Sequence, residues 1–231
     1  MIDLILVAII ALVAWLVASE GAHGAGVTLV ATLLSGLLAT NFFEPLATFL
    51  AGTMPAYDHY MDLVAFLGLF AICVTILRVL AEQLLPTQLE LYGTLYEPLR
   101  WGSAVGTGYL VMALVAVSLH LAPVGRDFLG FTPERKNLFG MSPDRQWLGF
   151  AQYVSEKSLR CGRVFDAPLY QAPGTLEARV WSSFPIRYAS RRAMLDAGGF
   201  AAAANPAPAG GAAPAGGAAP ATGGPVQAAP F

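Results

Sequence analysis

Apolar runs at residues 2–18, 26–43, 63–81 and 103–122 take up most of the first 122 positions, and no other feature constrains the fold as strongly. About 17–25 apolar residues, rising 1.5 Å each as a helix, cross a hydrocarbon core of about 30 Å. Each run meets that length. The chain is therefore expected to be all-α: an integral membrane four-helix bundle with amphipathic interfacial helices and a disordered C-terminal tail. Asp3 stands at the mouth of the first run, Arg78 is close enough to the end of the third to snorkel, and Pro123 stops the fourth. The first run reads as a span and not as a cleaved signal, because no Lys or Arg precedes it and a second apolar run follows within eight residues.

Composition agrees with a membrane chain, at 56% hydrophobic and 12% charged. The net charge of −2 hides a division. Residues 1–125 carry eight acids and two bases, a net of −6, whereas residues 126–200 carry seven acids and eleven bases, a net of +4. Three regions follow: a four-span bundle over 1–125, a basic and partly amphipathic cytoplasmic region over 126–197, and a tail over 198–231. An even number of spans puts both termini on one side. Arg126, Arg135 and Lys136 just after the fourth run make that side the cytoplasm. The bases are dispersed among acids, so nucleic acid is not an expected partner. Cys73 and Cys161 lie too far apart in sequence to suggest a disulfide framework or a zinc site, and no metal or cofactor is expected.

Small residues at four-residue spacing mark where membrane helices pack closely. The second run carries Thr28, Thr32, Gly36 and Thr40, with Ala31, Ser35 and Ala39 beside them. Ala8, Ala11, Ala14 and Ala18 mark the first run, Ala65, Gly68, Ala71 and Thr75 the third, and Gly102 and Gly106 form a GxxxG at the start of the fourth. Asn41, Glu44 and Pro45 interrupt the second run. Polar groups in a membrane are often functional, which makes Asn41 and Glu44 transport candidates. Pro45 cannot donate a backbone hydrogen bond, however, and Glu44 falls where the helix reaches the far interface, so this stretch is expected to be a helix end followed by an interfacial or re-entrant piece. His120 is the third weak transport candidate. In the last turn before Pro123 it gains from the helix C-terminus, and a structural role is the stronger expectation. Arg78 and Glu82, four apart, are expected to pair.

No carboxylate pair or His/Glu relay is visible within the runs. GxSxG, HExxH and P-loop motifs are absent, and the Gly106–Thr107–Gly108 triplet lacks the strand context of a phosphate loop. No catalytic residue is singled out, and an enzyme is not expected. Between the third and fourth runs, Leu84, Leu85, Leu89, Leu91, Leu95 and Leu99 alternate with charges, Tyr92, Tyr96 and Trp101, a composition suited to the membrane surface.

Asp3 at the first span, "EGAHGAG" and "LLSGLLAT" around the second, and "LRWGSAVGTGYL" entering the fourth together resemble the CvpA family, the colicin V production proteins. Residues 1–125 carry the resemblance, in layout and glycines. Where family members place bases in the first turn, this chain has His23 and Glu20. The resemblance implies a multi-pass bacterial inner-membrane protein connected with toxin (colicin V) production or export and envelope maintenance, and it brings no catalytic residues.

Beyond residue 125, "TPERKNLFG" from Thr132 recurs as "SPDRQWLGF" from Ser142. Each reads as a helix start: Thr132 and Ser142 as N-caps, Pro133 and Pro143 in the first position, Glu134 and Asp144 at the positive end of the dipole. Gly140 is expected to close the first. The second should run from 142 to 159 as an amphipathic helix whose stripe of Trp147, Phe150, Ala151 and Val154 covers the membrane surface, the bundle's inner end or a partner protein, in that order. Arg187, Arg191 and Arg192 suit anionic headgroups. The Ala/Pro/Gly run after 198 has no charge and little apolar bulk to offset ordering entropy, and should be disordered.

The leading expectation is a non-enzymatic membrane scaffold or interaction protein, whose partners are the bilayer, anionic lipid headgroups or a membrane protein, and further copies of itself. The alternative is a small channel or exporter component acting as an oligomer.

Overall fold

The computed structural model describes residues 2–54, 57–84, 93–124 and 137–158, with 165, 169–171, 178–180, 184 and 188 beyond them. Five helices account for nearly all of this: α1 (Ile2–Ala18), α2 (Gly21–Thr53), α3 (Asp58–Leu84), α4 (Tyr96–Leu121) and α5 (Pro143–Tyr153). A single π turn, Val154–Ser158, extends α5. The architecture is helical as expected; beside it a short antiparallel ribbon pairs β1 (Leu169–Gln171) with β2 (Ala178–Val180). The 85–92 linker, the 132–136 part of the repeat, Arg187, Arg191, Arg192 and the tail after 198 lie outside the described residues.

Three helices, α2, α3 and α4, are long and apolar enough to cross a membrane; α1, equally apolar, is shorter at 17 residues, about 25 Å. The four alternate in direction along the chain and lie in the spatial order α1, α4, α2, α3, so that the neighbours α4 and α2 run parallel. Along the α1–α4 contact, Ile2 and Leu6 meet Met112 and Ala116, Ile10 meets Gly108, and Ala14 and Ala18 meet Ala104, so the pair is antiparallel over its whole length. The α1–α2 turn is two residues long and tight because Gly21 adopts φ +82°, a conformation that a Cβ would strain.

The expected helix end at Asn41–Pro45 is not there: α2 continues unbroken for 33 residues with Pro45 inside it. Phe43 and Ala47, one turn apart across the proline, are both buried in the core shared with Met61, Ala65 and Phe66 of α3. Phe43 and Phe66 stack edge-on at 5.7 Å. That packing on both sides of Pro45 holds the helix axis through the missing hydrogen bond, while the ring itself faces outward, exposed.

Close packing follows some of the small-residue stripes and not others. Thr28, Thr32, Gly36 and Thr40 are all buried. On α4 the expected Gly102/Gly106 face is corrected: Gly102 is exposed with nothing within 4 Å, and Gly106 meets only Leu29. The residue that lets backbones approach is Gly108, whose added Cβ would lie 2.7 Å from the Ile10 carbonyl oxygen. Ala8 and Ala11 on α1, and Ala71 and Thr75 on α3, are likewise exposed, since each of these flanking helices packs along one side only.

Candidate functional site: a buried histidine–aspartate pair

Helix α5 packs along α4. Its buried face is Asp144, Trp147, Leu148 and Ala151, an i, i+3, i+4, i+7 stripe, with Pro143 also buried, while Phe150 is 38% exposed. The stripe expected at Trp147, Phe150, Ala151 and Val154 is thus rotated. Trp147 reaches α2, where a Cβ on Gly36 would come within 2.7 Å of its ring. Its indole Nε1 donates to Thr40 Oγ1 at 3.1 Å, and Thr40 in turn donates to the Gly36 carbonyl at 2.7 Å. Gly36 provides the space for the indole, and Thr40 the acceptor that a buried Trp N–H needs.

The same insertion carries Asp144 onto His120. Nε2 of His120 and Oδ2 of Asp144 are 2.9 Å apart, with both side chains at 0% exposure. Each stands at a favourable helix terminus: His120 in the last turn of α4, Asp144 in the first of α5, so that the negative end of one dipole meets the positive end of the other beside matching groups. Phe184 packs on the imidazole with ring centroids 6.2 Å apart and also meets Phe43, Phe165 and Tyr188, an aromatic cluster beside the pair. A carboxylate bonded to imidazole fixes the orientation of the ring. Among the described residues, no group of three or more His, Cys, Asp or Glu could hold a metal ion.

Loop 137–142 joins this site to α1. Leu138 N–H donates to Asp3 Oδ1 at 2.7 Å, and Ser142 N–H to Asn137 O at 3.1 Å. Leu138, Phe139 and Ser142 all take left-handed conformations, φ 50°, 54° and 48°. Ser142 therefore makes no side-chain cap, against expectation, because the loop closure sets its backbone.

Asn41 donates from Nδ2 to the Leu37 carbonyl of its own helix at 2.8 Å, and Glu44 is exposed on the outer side of α2. Of the three transport candidates only His120 enters a buried polar site, and its partner was not among them. The signal was present in the sequence: Asp144 sits on the same helical face as Trp147, Leu148 and Ala151. At the opposite end of the bundle Arg78 pairs with Glu82 at 3.2 Å as expected, and also with Glu20 at 2.7 Å across to the α1–α2 turn. Glu20 accepts from Thr28 at 3.0 Å, and Arg100 donates from Nε to the last-turn carbonyl of Ala18 at 2.7 Å. No protein-family model, characterised protein or solved structure matches this chain.

Proposed function

We propose that the chain is a non-enzymatic, multi-pass membrane protein that acts as a scaffold, its helices forming an anchor and its basic region an interaction platform held against that anchor. The docking of α5 through Trp147 into the Gly36–Thr40 notch carries this reading, since it couples whatever binds beyond α5 to the membrane helices. Counting α1 as a fourth crossing is supported by its alignment with α4 over its full length. The Asp3–Leu138 hydrogen bond supports an N-terminus on the same side as the region after α4. That side is the cytoplasm of a bacterial inner membrane on the distribution of bases. The resemblance to CvpA proteins extends the proposal to toxin (colicin V) production or export and envelope maintenance.

Reporter fusions at the N-terminus and after Pro123 test the topology, with activity expected on the same face for both; opposite faces sink the four-crossing reading. For the scaffold role, replacing Trp147 and Phe150 by Asp should free the platform, seen as faster protease cleavage near Arg160 in membranes, and should abolish complementation of a strain lacking the protein. A second reading, a small channel or exporter component acting as an oligomer, is favoured by the His120–Asp144 pair, because ionisable groups buried in membrane bundles commonly mark proton or ion routes.

A further inference from the structure

We propose that the outward face of α5 lines a water-filled vestibule, which enters the bilayer from the His120 end of the bundle and reaches about its mid-plane. The inference rests on the membrane reading and adds to it a cavity for water and small hydrophilic solutes.

Depth comes first. On α4, Arg100 meets the Ala18 carbonyl at one end, and His120 lies twenty residues further along, about 30 Å away, the thickness of a hydrocarbon core. Tyr109 is nine residues from Arg100 and eleven from His120, near the middle, and it hydrogen-bonds Gln146 of α5. Trp147 touches Gly36, itself in contact with Leu114, which is six residues or about 9 Å inward from His120. Leu138, in the loop before α5, packs with Met112 and Ala116. Helix α5 and its loop therefore lie within the slab.

Polarity comes second. Arg145, Gln146, Gly149 and Gln152 are exposed on the outward side of α5, interleaved with the rings of Phe150 and Tyr153. Exposed positions on α3 at comparable depth are Leu67, Ile72 and Ile76, which suit acyl chains. A guanidinium and two amides do not. Irregular backbone such as loop 137–142 also persists at membrane depth only where protein buries it or water reaches it. The exposed surface of α3 is wholly apolar at these positions while that of α5 carries a guanidinium and amides among its rings, and the difference calls for lipid at α3 and water at the polar groups of α5.

Single cysteines at Gln146, Gly149 and Ile72, in a Cys73→Ser, Cys161→Ser background of the full chain, test this with a membrane-impermeant maleimide applied to each side of sealed vesicles. Gly149 has open space around it, so its variant should fold even if Gln146→Cys disturbs the Tyr109 bond. Gly149→Cys and Gln146→Cys should react from one side only, and at least about tenfold faster than Ile72→Cys. Rates as slow as that of Ile72→Cys, with reaction only to a lipid-soluble maleimide, overturn the vestibule while leaving the membrane reading intact. Crosslinking of two Gly149→Cys chains by a short bis-maleimide, with no aqueous labelling, overturns it in favour of a second copy covering this face. Fast labelling at all three positions, with release of the chain by alkaline carbonate, removes the membrane reading itself.

Discussion

The two ends of the bundle both pair ionisable side chains and use them in opposite ways. At the α1–α2 turn, Glu20, Arg78 and Glu82 form pairs whose side chains are 25–64% exposed. At the other end His120 and Asp144 are fully buried, with Phe184 packed on the imidazole. Exposed pairs are weakened by solvent and by the freedom of long side chains, and contribute about 0–1 kcal/mol. Removing one member of a buried pair leaves its partner without compensation in a low-dielectric site, at a cost of about 3–5 kcal/mol. The first end tolerates variation; the second fixes where α5 sits.

The largest effect should come from Asp144→Ala, a loss of about 3–5 kcal/mol in the docking of α5, read as a rise in protease cleavage within 143–158 in detergent micelles. Cleavage unchanged from the parent chain would show that the pair contributes no more than an exposed one, and the contrast between the ends would fail. Trp147→Ala should cost about the same, because it empties the Gly36 notch and leaves Thr40 Oγ1 without its donor. A double-mutant cycle between the two sharpens the comparison: they share one helix face, and their effects should be less than additive.

Gly36→Leu approaches the same notch from α2 and should cost about 1–3 kcal/mol by overpacking against the indole, whereas Glu44→Gln, on the exposed side, should stay within about 0.5 kcal/mol. Equal folded yields for Gly36→Leu and the parent, with loss of function for Glu44→Gln, would return the polar site to the proline region. Glycine substitutions on α4 test the packing side of the same contrast: Gly108→Leu should disrupt the α1–α4 contact and Gly102→Leu should be silent in thermal unfolding. The smallest change belongs to Arg78→Gln, about 0–1 kcal/mol and diminished further by salt.

Helix identity was legible throughout the first half, because apolar length and absence of charge are local properties that need no partner to be read. The same holds for the buried Thr28–Thr32–Gly36–Thr40 face and for the Arg78–Glu82 pair, both set by the helical repeat. Pro45 shows where local reading stops. A proline ends a helix unless something holds the axis on both sides, and what holds it here is Phe66, more than twenty residues away in sequence.

Which GxxxG glycine faces a neighbour was equally illegible, since the spacing is identical for Gly102–Gly106 and Ala104–Gly108, and only the position of α1 distinguishes them. The histidine–aspartate pair belongs to the same class. Residue type and helix position marked His120 and Asp144 separately as groups favoured at opposite dipole ends, but their distance depends on how α5 turns after loop 137–142, and that turn is set by Trp147 finding Gly36. By itself the sequence determined what depends on neighbours along one helix: length, apolarity, the small-residue face of α2 and the disposition of charge. The tertiary structure decided what depends on contacts between helices, because a side chain's burial, and with it the strength of every polar interaction it makes, belongs to the space between elements and not to any one of them.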